Sequence, residues 1–196
     1  MCVDLFAHFS YEMGSHQYYP PGSPELSDNR LFGMFYASTH QHSKDVIVNS
    51  LMDPCGVVRI AFASVAMGIG VDLRGVNTII HYGAPSSTED YFQASGRAGR
   101  SGGSAHSIVY WTPTDCPRRK DPCTSHHHEV NDVMAYLENS TVYRRKWLME
   151  YFDPMSAKPG NDPLSCCDVC LAASRNVTFT GKSLSSDDYC TVTSLS

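Results

Sequence analysis

The sequence lacks any apolar run long enough to span a membrane. It also lacks a basic excess. Fifteen lysines and arginines face 20 acidic residues, for a net charge of −5. That excludes a protein coated in positive charge, but not a local groove for nucleic acid. Met1 to Ser10 has no basic start and contains Asp4 and His8, so it does not read as a secretory signal. No internal repeat is apparent, and no Gly-x-x-x-x-Gly-Lys-Ser/Thr phosphate loop occurs. Cysteine is present in number, eight in all. Cys2 and Cys55 stand apart, however, while Cys166, Cys167 and Cys170 are bunched. That spacing argues against four disulfides and for a reduced intracellular setting, with the clustered thiols read as metal ligands or ordinary free cysteines. Asn139-Ser140-Thr141 and Asn176-Val177-Thr178 are then chance sequons.

The chain has 196 residues, 42% of them apolar. That suits one ordinary domain plus a small one. Met1 to Met13 has helical spacing, with Gly14 as a stop. Tyr18 to Asn29 is a Pro/Gly/Ser loop. Strands are predicted over Leu31–Ala37, Val57–Ala63, Val76–His81 and Ala105–Trp111. Helices are predicted over Lys44–Met52 and Ser87–Ser95, the latter starting with a serine and two acids. Nearly all-apolar strands alternating with helices predict an α/β layer fold, a parallel sheet covered on both faces. From Thr112 the prolines 113, 117 and 122 break the chain. Helices follow over His126–Asn139 and Val142–Phe152, then a loop over Asp153–Pro163. After Ser174 the Ser/Thr-rich tail reads as disordered. The triplets Arg118-Arg119-Lys120 and Arg144-Arg145-Lys146 read as solvated basic faces, and His126-His127-His128 as an exposed helix start.

The run Gln93-Ala94-Ser95-Gly96-Arg97-Ala98-Gly99-Arg100 carries the most chemistry. Two arginines three apart, each after a glycine and with a glutamine upstream, suit a helix end that brings guanidiniums and an amide to one phosphate group. The planar guanidinium matches phosphate oxygens and stays charged. The plainer alternative is a solvated basic helix end before a Ser-Gly-Gly turn. Upstream lie Ile60 to Asp72, with Gly68, Gly70 and Asp72, and then Val76 to Pro85. With Tyr91-Phe92 before Gln93, these segments resemble motifs V and VI of superfamily 2 helicases, most closely the RecQ family of DNA helicases. Tyr143 to Asp153 and Cys167-Asp168-Val169-Cys170 resemble the start and end of that family's zinc-binding subdomain. The likeness covers roughly residues 1 to 172.

The resemblance implies an incomplete RecA-like helicase lobe 2 over residues 1–112, lacking its first strand. A degenerate helical zinc-binding-type subdomain would follow over 113–172, then the tail 173–196. It implies that Arg97 and Arg100 reach the γ-phosphate of ATP, with Arg100 the finger and Gln93 positioning water or sensing phosphate. Gly68 and Gly70 would let the backbone approach the nucleotide, and Asp72 would accept from the ribose. Ser64, and Ser38 and Thr39 in Phe35 to His40, would donate to nucleic-acid phosphates; for Ser38 and Thr39 a capping or turn role is the equal alternative. Ala94 and Ser101 depart from the usual glutamate and aspartate. Zinc would need four ligands, but Tyr143 takes the first cysteine's place. Cys167 and Cys170 match the last pair, and Cys166, Cys116, Cys123 or a histidine would have to complete the set.

ATP with Mg would be shared with a first RecA-like lobe, because the phosphate loop and the magnesium-binding Asp-Glu pair are absent from the sequence. The expected partner is single-stranded or forked DNA, with no membrane. Recombination and repair are the family's setting, and the nucleus is the expected location in a eukaryote, otherwise the cytoplasm. The expected function is part of an ATP-dependent 3′–5′ DNA helicase, inactive as the isolated chain. The alternatives are a non-catalytic helicase-derived module binding nucleic acid or protein, and a non-functional relic.

Overall fold

Four phenylalanines fix the start of the fold. Helix α1 (Cys2–Met13) lays Phe6 and Phe9 edge-on against Phe32 and Phe62, with ring centroids 5.2–6.1 Å apart. The Cys2 thiol donates to the Ala63 carbonyl at 3.3 Å. The computed structural model describes residues 2–64, 73–112, 114–115, 126–153, 167–174 and 190–195. They fall in two units, residues 1–76 and 77–196.

The first unit is a strand–helix–strand crossover. Strand β1 (Phe32–Phe35), helix α2 (Gln41–Met52) and strand β2 (Ile60–Ala63) follow in order, with β1 and β2 parallel and Phe32 opposite Ile60. Phe35, Ile47, Val58 and Leu73 form the core under α2. The return from α2 is tight. A Cβ on Gly56 would lie 2.0 Å from the Ser50 carbonyl oxygen, so only glycine fits there. The Ser50 hydroxyl accepts the Val58 N–H at 2.7 Å. β1 is shorter than predicted because the Tyr36 N–H turns to the Thr39 hydroxyl instead of continuing as strand. The Pro/Gly/Ser loop closes on itself through a Tyr18–Arg30 bridge.

The second unit repeats the crossover: strand β3 (Thr78–Tyr82), helix α3 (Thr88–Ser95) and strand β4 (His106–Trp111). β3 and β4 are parallel, with Thr78 opposite His106. Helices α4 (His126–Glu138), α5 (Arg144–Phe152) and α6 (Asp168–Ser174) follow. Tyr91, Val109, Trp111, Tyr136, Leu137 and Leu148 make the core. The side chain of Asn139 accepts from the Thr141 and Val142 N–H groups and turns the chain between α4 and α5.

Two expectations are corrected. The predicted single parallel sheet is not what the described residues form. They give two small parallel pairs, and β4 carries an antiparallel partner, so the sheet of the second unit is mixed. Nor is β3 buried on both faces: Ile80 is 57% exposed and Thr78 and Tyr82 are exposed. A largely apolar run does not by itself mean two-sided burial, because apolar residues are common on surfaces. Second, part of the tail is ordered. Strand β5 (Cys190–Leu195) pairs antiparallel with β4, from Trp111 opposite Cys190 to His106 opposite Leu195. Its Thr-Val-Thr run has strand propensity, and it satisfies backbone groups on the edge of β4. Residues 175–189 lie outside the described residues.

Candidate functional site

Helix α3 is held firmly enough to aim its C-terminal end. The Ser87 hydroxyl caps it by accepting the Asp90 N–H at 3.1 Å, and Glu89 and Asp90 sit in the favourable first turn. Tyr91 is fully buried, against His81 at 5.1 Å and Tyr136 at 5.1 Å. The Tyr136 hydroxyl donates to the Tyr91 oxygen at 3.2 Å. The Ser95 and Ser107 hydroxyls, 2.8 Å apart, tie the last turn of α3 to β4. Burial pushes the His81 pKa down to about 4, so its ring is neutral near pH 7.

Gln93 is exposed on α3. The two arginines are not on the helix but in the turn that follows it. The Gly96 N–H donates to Phe92 O, the Arg97 N–H to Ala94 O and the Ala98 N–H to Ser95 O, at 3.0–3.1 Å. Buried Ala98 pins this turn. Gly99 then takes φ +73°, a left-handed conformation that side chains resist. Arg100 is exposed, and its Nε donates to Gly96 O at 3.3 Å. Arg97 is half-buried, and its Nε is buried with no hydrogen-bond partner among the described residues. A buried donor without a partner is costly and rare.

In the first unit Ser38, Thr39 and Ser64 come together at the carboxyl ends of β1 and β2. The Ser64 N–H donates to Phe35 O at 3.3 Å, and Ser38 and Thr39 form the loop leaving β1. This is the end of a parallel pair where ligands characteristically bind. Ser38 and Ser64 are exposed. Thr39 is committed locally: its hydroxyl accepts the Tyr36 N–H at 3.1 Å and donates to Met34 O at 3.2 Å. Gly68, Gly70 and Asp72 lie outside the described residues.

Around the cysteines, the sequence reading of Arg144 as a solvated basic residue is corrected. Arg144 is fully buried. Its Nε and Nη2 each donate to the Asp168 carboxylate at 3.0 Å, a bidentate pair, and its Nη1 donates to Tyr136 O. Its guanidinium lies 5.2 Å from the centre of the Tyr136 ring. The Arg144 N–H donates to the Cys167 sulfur at 3.3 Å. Tyr143, at the head of α5, thus stands one residue from this corner. Cys167 and Cys170 are not joined in a disulfide, and among the described residues no three His, Cys, Asp or Glu side chains converge as metal ligands. Cys166, Cys116 and Cys123 lie outside those residues. Two thiols do not fit a four-ligand zinc centre.

Sequence reasoning missed the Arg144–Asp168 pair, because residues 24 positions apart carry no periodic signal. It also missed Arg30, whose guanidinium lies over the rings of Phe6 and Tyr18 at 5.3 and 5.4 Å.

Residues 23–102 match the family described as "Helicase conserved C-terminal domain". That segment contains β1 to β3, α3 and the whole glutamine–arginine turn. The chain is 36% identical over 117 residues to the ATP-dependent helicase wrn-1 of Caenorhabditis elegans, covering 55% of this chain and 11% of that protein. It is 34% identical over 128 residues to the RecQ-like DNA helicase blm-1 of the same organism, covering 58% and 13%. It is 37% identical over 120 residues to the ATP-dependent DNA helicase Q-like SIM of Arabidopsis thaliana, covering 58% and 14%. The chain carries a helicase C-terminal domain homologous to those of the RecQ-type DNA helicases. It spans only about a seventh or less of the length of these three relatives.

Proposed function

We propose that this chain acts as the second lobe of a RecQ-type, ATP-dependent 3′–5′ DNA helicase, completing a nucleotide site whose phosphate cradle and magnesium belong to a first RecA-like lobe. The observation that carries the reading is the Arg97 side chain, whose buried Nε–H has no partner among the described residues, in the hydrogen-bonded turn that follows the helix of Gln93. A phosphate oxygen is the natural acceptor for such a donor. In this reading Arg100, on the exposed side of the turn, is the finger that stabilises charge on the transferring γ-phosphoryl group, Arg97 orients it, and Gln93 positions the attacking water. Gly68 and Gly70 allow close backbone approach to the nucleotide, and Asp72 accepts from the ribose. Ser38 and Ser64 hold phosphates of the translocating single or forked strand, with Thr39 shaping that loop. Nuclear work in repair and recombination is the matching setting.

The test pairs the chain with a first RecA-like lobe bearing a phosphate loop and follows DNA-stimulated ATP turnover. Arg100→Ala should lower turnover about a thousandfold while ATP binding changes little, with Arg97→Ala acting in the same direction. The chain alone should not hydrolyse ATP. Equal, small effects of both substitutions on binding and turnover would remove the finger assignment. DNA binding without any gain in turnover would favour the non-catalytic module instead.

A further inference from the structure

We infer that the cavity beside β1 receives one unstacked base of the nucleic-acid strand. The inference rests on the nucleic-acid reading above and deepens it, since that reading places only phosphates. The cavity measures about 300 Å³ and counts Ser38 and His40 among its lining residues, so it adjoins the proposed phosphate contacts. That volume lies at the small end of ligand clefts and suits one nucleobase.

The lining has the chemistry of a base site. Phe6 contributes a half-buried ring, and base–aromatic stacking is a strong, sequence-tolerant contact. Arg30 is preorganised beside it. Its Nη2 donates to the Tyr18 hydroxyl at 3.0 Å, while its Nε is buried with no partner among the described residues. With Nη2 held by Tyr18, the guanidinium is fixed in place, and its remaining Nη1 N–H groups are the donors for base carbonyl and ring-nitrogen acceptors, at little entropic cost. Asp28, an exposed lining residue whose carboxylate accepts from the Ser27 hydroxyl at 2.9 Å and lies 3.5 Å from His42 Nε2, keeps lone pairs to accept from an exocyclic amine. A bare phosphate would use Arg30 but would be repelled by Asp28. The mixed lining therefore favours a base over an isolated anion.

Fluorescence anisotropy with the intact chain tests this directly. The probes are a short fluorescein-labelled single-stranded oligodeoxynucleotide and a copy of it carrying abasic sites. The normal strand should bind roughly tenfold more tightly than the abasic one, the loss expected for one stacked base. Arg30→Gln should bring the ratio toward one. Asp28→Asn, at an exposed rim position where folding is not at stake, should change the preference among homopolymeric strands. Equal affinity of the wild-type chain for normal and abasic strands would overturn the base pocket and leave the phosphate reading intact. No binding of either strand would overturn both.

Discussion

The hydroxyl of Tyr151, near the end of α5, donates to the Glu89 carboxylate at 2.7 Å and so ties the last long helix to the first turn of α3. The bond holds the Glu89 carboxyl below its usual range and, with burial, raises the Tyr151 phenol above its own. The helix that aims Gln93 and the arginines is therefore braced from outside the sheet as well as by buried Tyr91.

Tyr151→Phe should destabilise the chain by about 1 kcal/mol at pH 7, modest for a charged acceptor because the pair is partly open to solvent. The Glu89 pKa is depressed in the folded state, so this contribution is present above the unfolded value of 4.5 and is lost as pH falls through the folded value. Urea titrations of both proteins at pH 7 and pH 3 should show the difference shrinking in acid. A constant difference would mean that the phenol acts only through packing.

Arg144→Met should cost about 3–5 kcal/mol, because it strands the Asp168 carboxylate in a mostly buried site. Arg144→Lys should recover little, since an ammonium cannot reproduce the fork. The double variant Arg144→Met, Asp168→Leu should regain much of the loss in denaturant midpoints. Additive losses would show that the two side chains act independently.

His81 gives the fold an acid sensitivity of known sign. Its folded pKa of about 4 lies below the unfolded 6.5, so the unfolded chain binds more protons between these values. Stability should fall as pH drops through that window, by up to roughly 1.4 kcal/mol per pH unit. His81→Phe should flatten that part of the profile measured by chemical denaturation. An unchanged slope would assign the sensitivity elsewhere.

The β1 loop separates shape from binding. Thr39→Val removes a hydroxyl that serves two backbone groups and should cost about 1–2 kcal/mol. Ser38→Ala should leave the melting temperature unchanged while weakening single-strand binding. The reverse pattern would exchange the roles of the two residues.

Chelation should leave the thermal midpoint and far-ultraviolet circular dichroism unchanged, because the corner at Cys167 is tied by Arg144 and Asp168. A lowered midpoint with release of one zinc per chain would mean that ligands beyond the described residues complete a centre.

Much of this was legible in the sequence, for local reasons. Ser87 with two acids announced α3, and the alternation of apolar strands with helices announced both crossovers. The double-arginine run lies inside the segment that matches the helicase C-terminal domain, and its glycine spacing was legible as sequence. Less was legible where partners are distant or where burial is one-sided. Nothing in Ile79-Ile80 says that Ile80 faces outward, and nothing in a Ser/Thr tail says that Cys190–Leu195 pairs with β4.

By itself, then, the sequence determined the family likeness, the order of strands and helices from α1 to α5, and the residue types at the glutamine–arginine turn. These depend on periodicity, caps and spacing within a few residues of one another. Tertiary structure alone decided that the arginines follow the helix rather than end it, and that Thr39's hydroxyl serves a turn. It also decided that Arg144 is a buried ion-pair partner of Asp168 and that Arg30 frames a cavity with Phe6. These outcomes depend on which donor finds which acceptor across 3 to 24 residues of chain, a balance of burial and hydrogen bonding that residue type and periodicity do not encode.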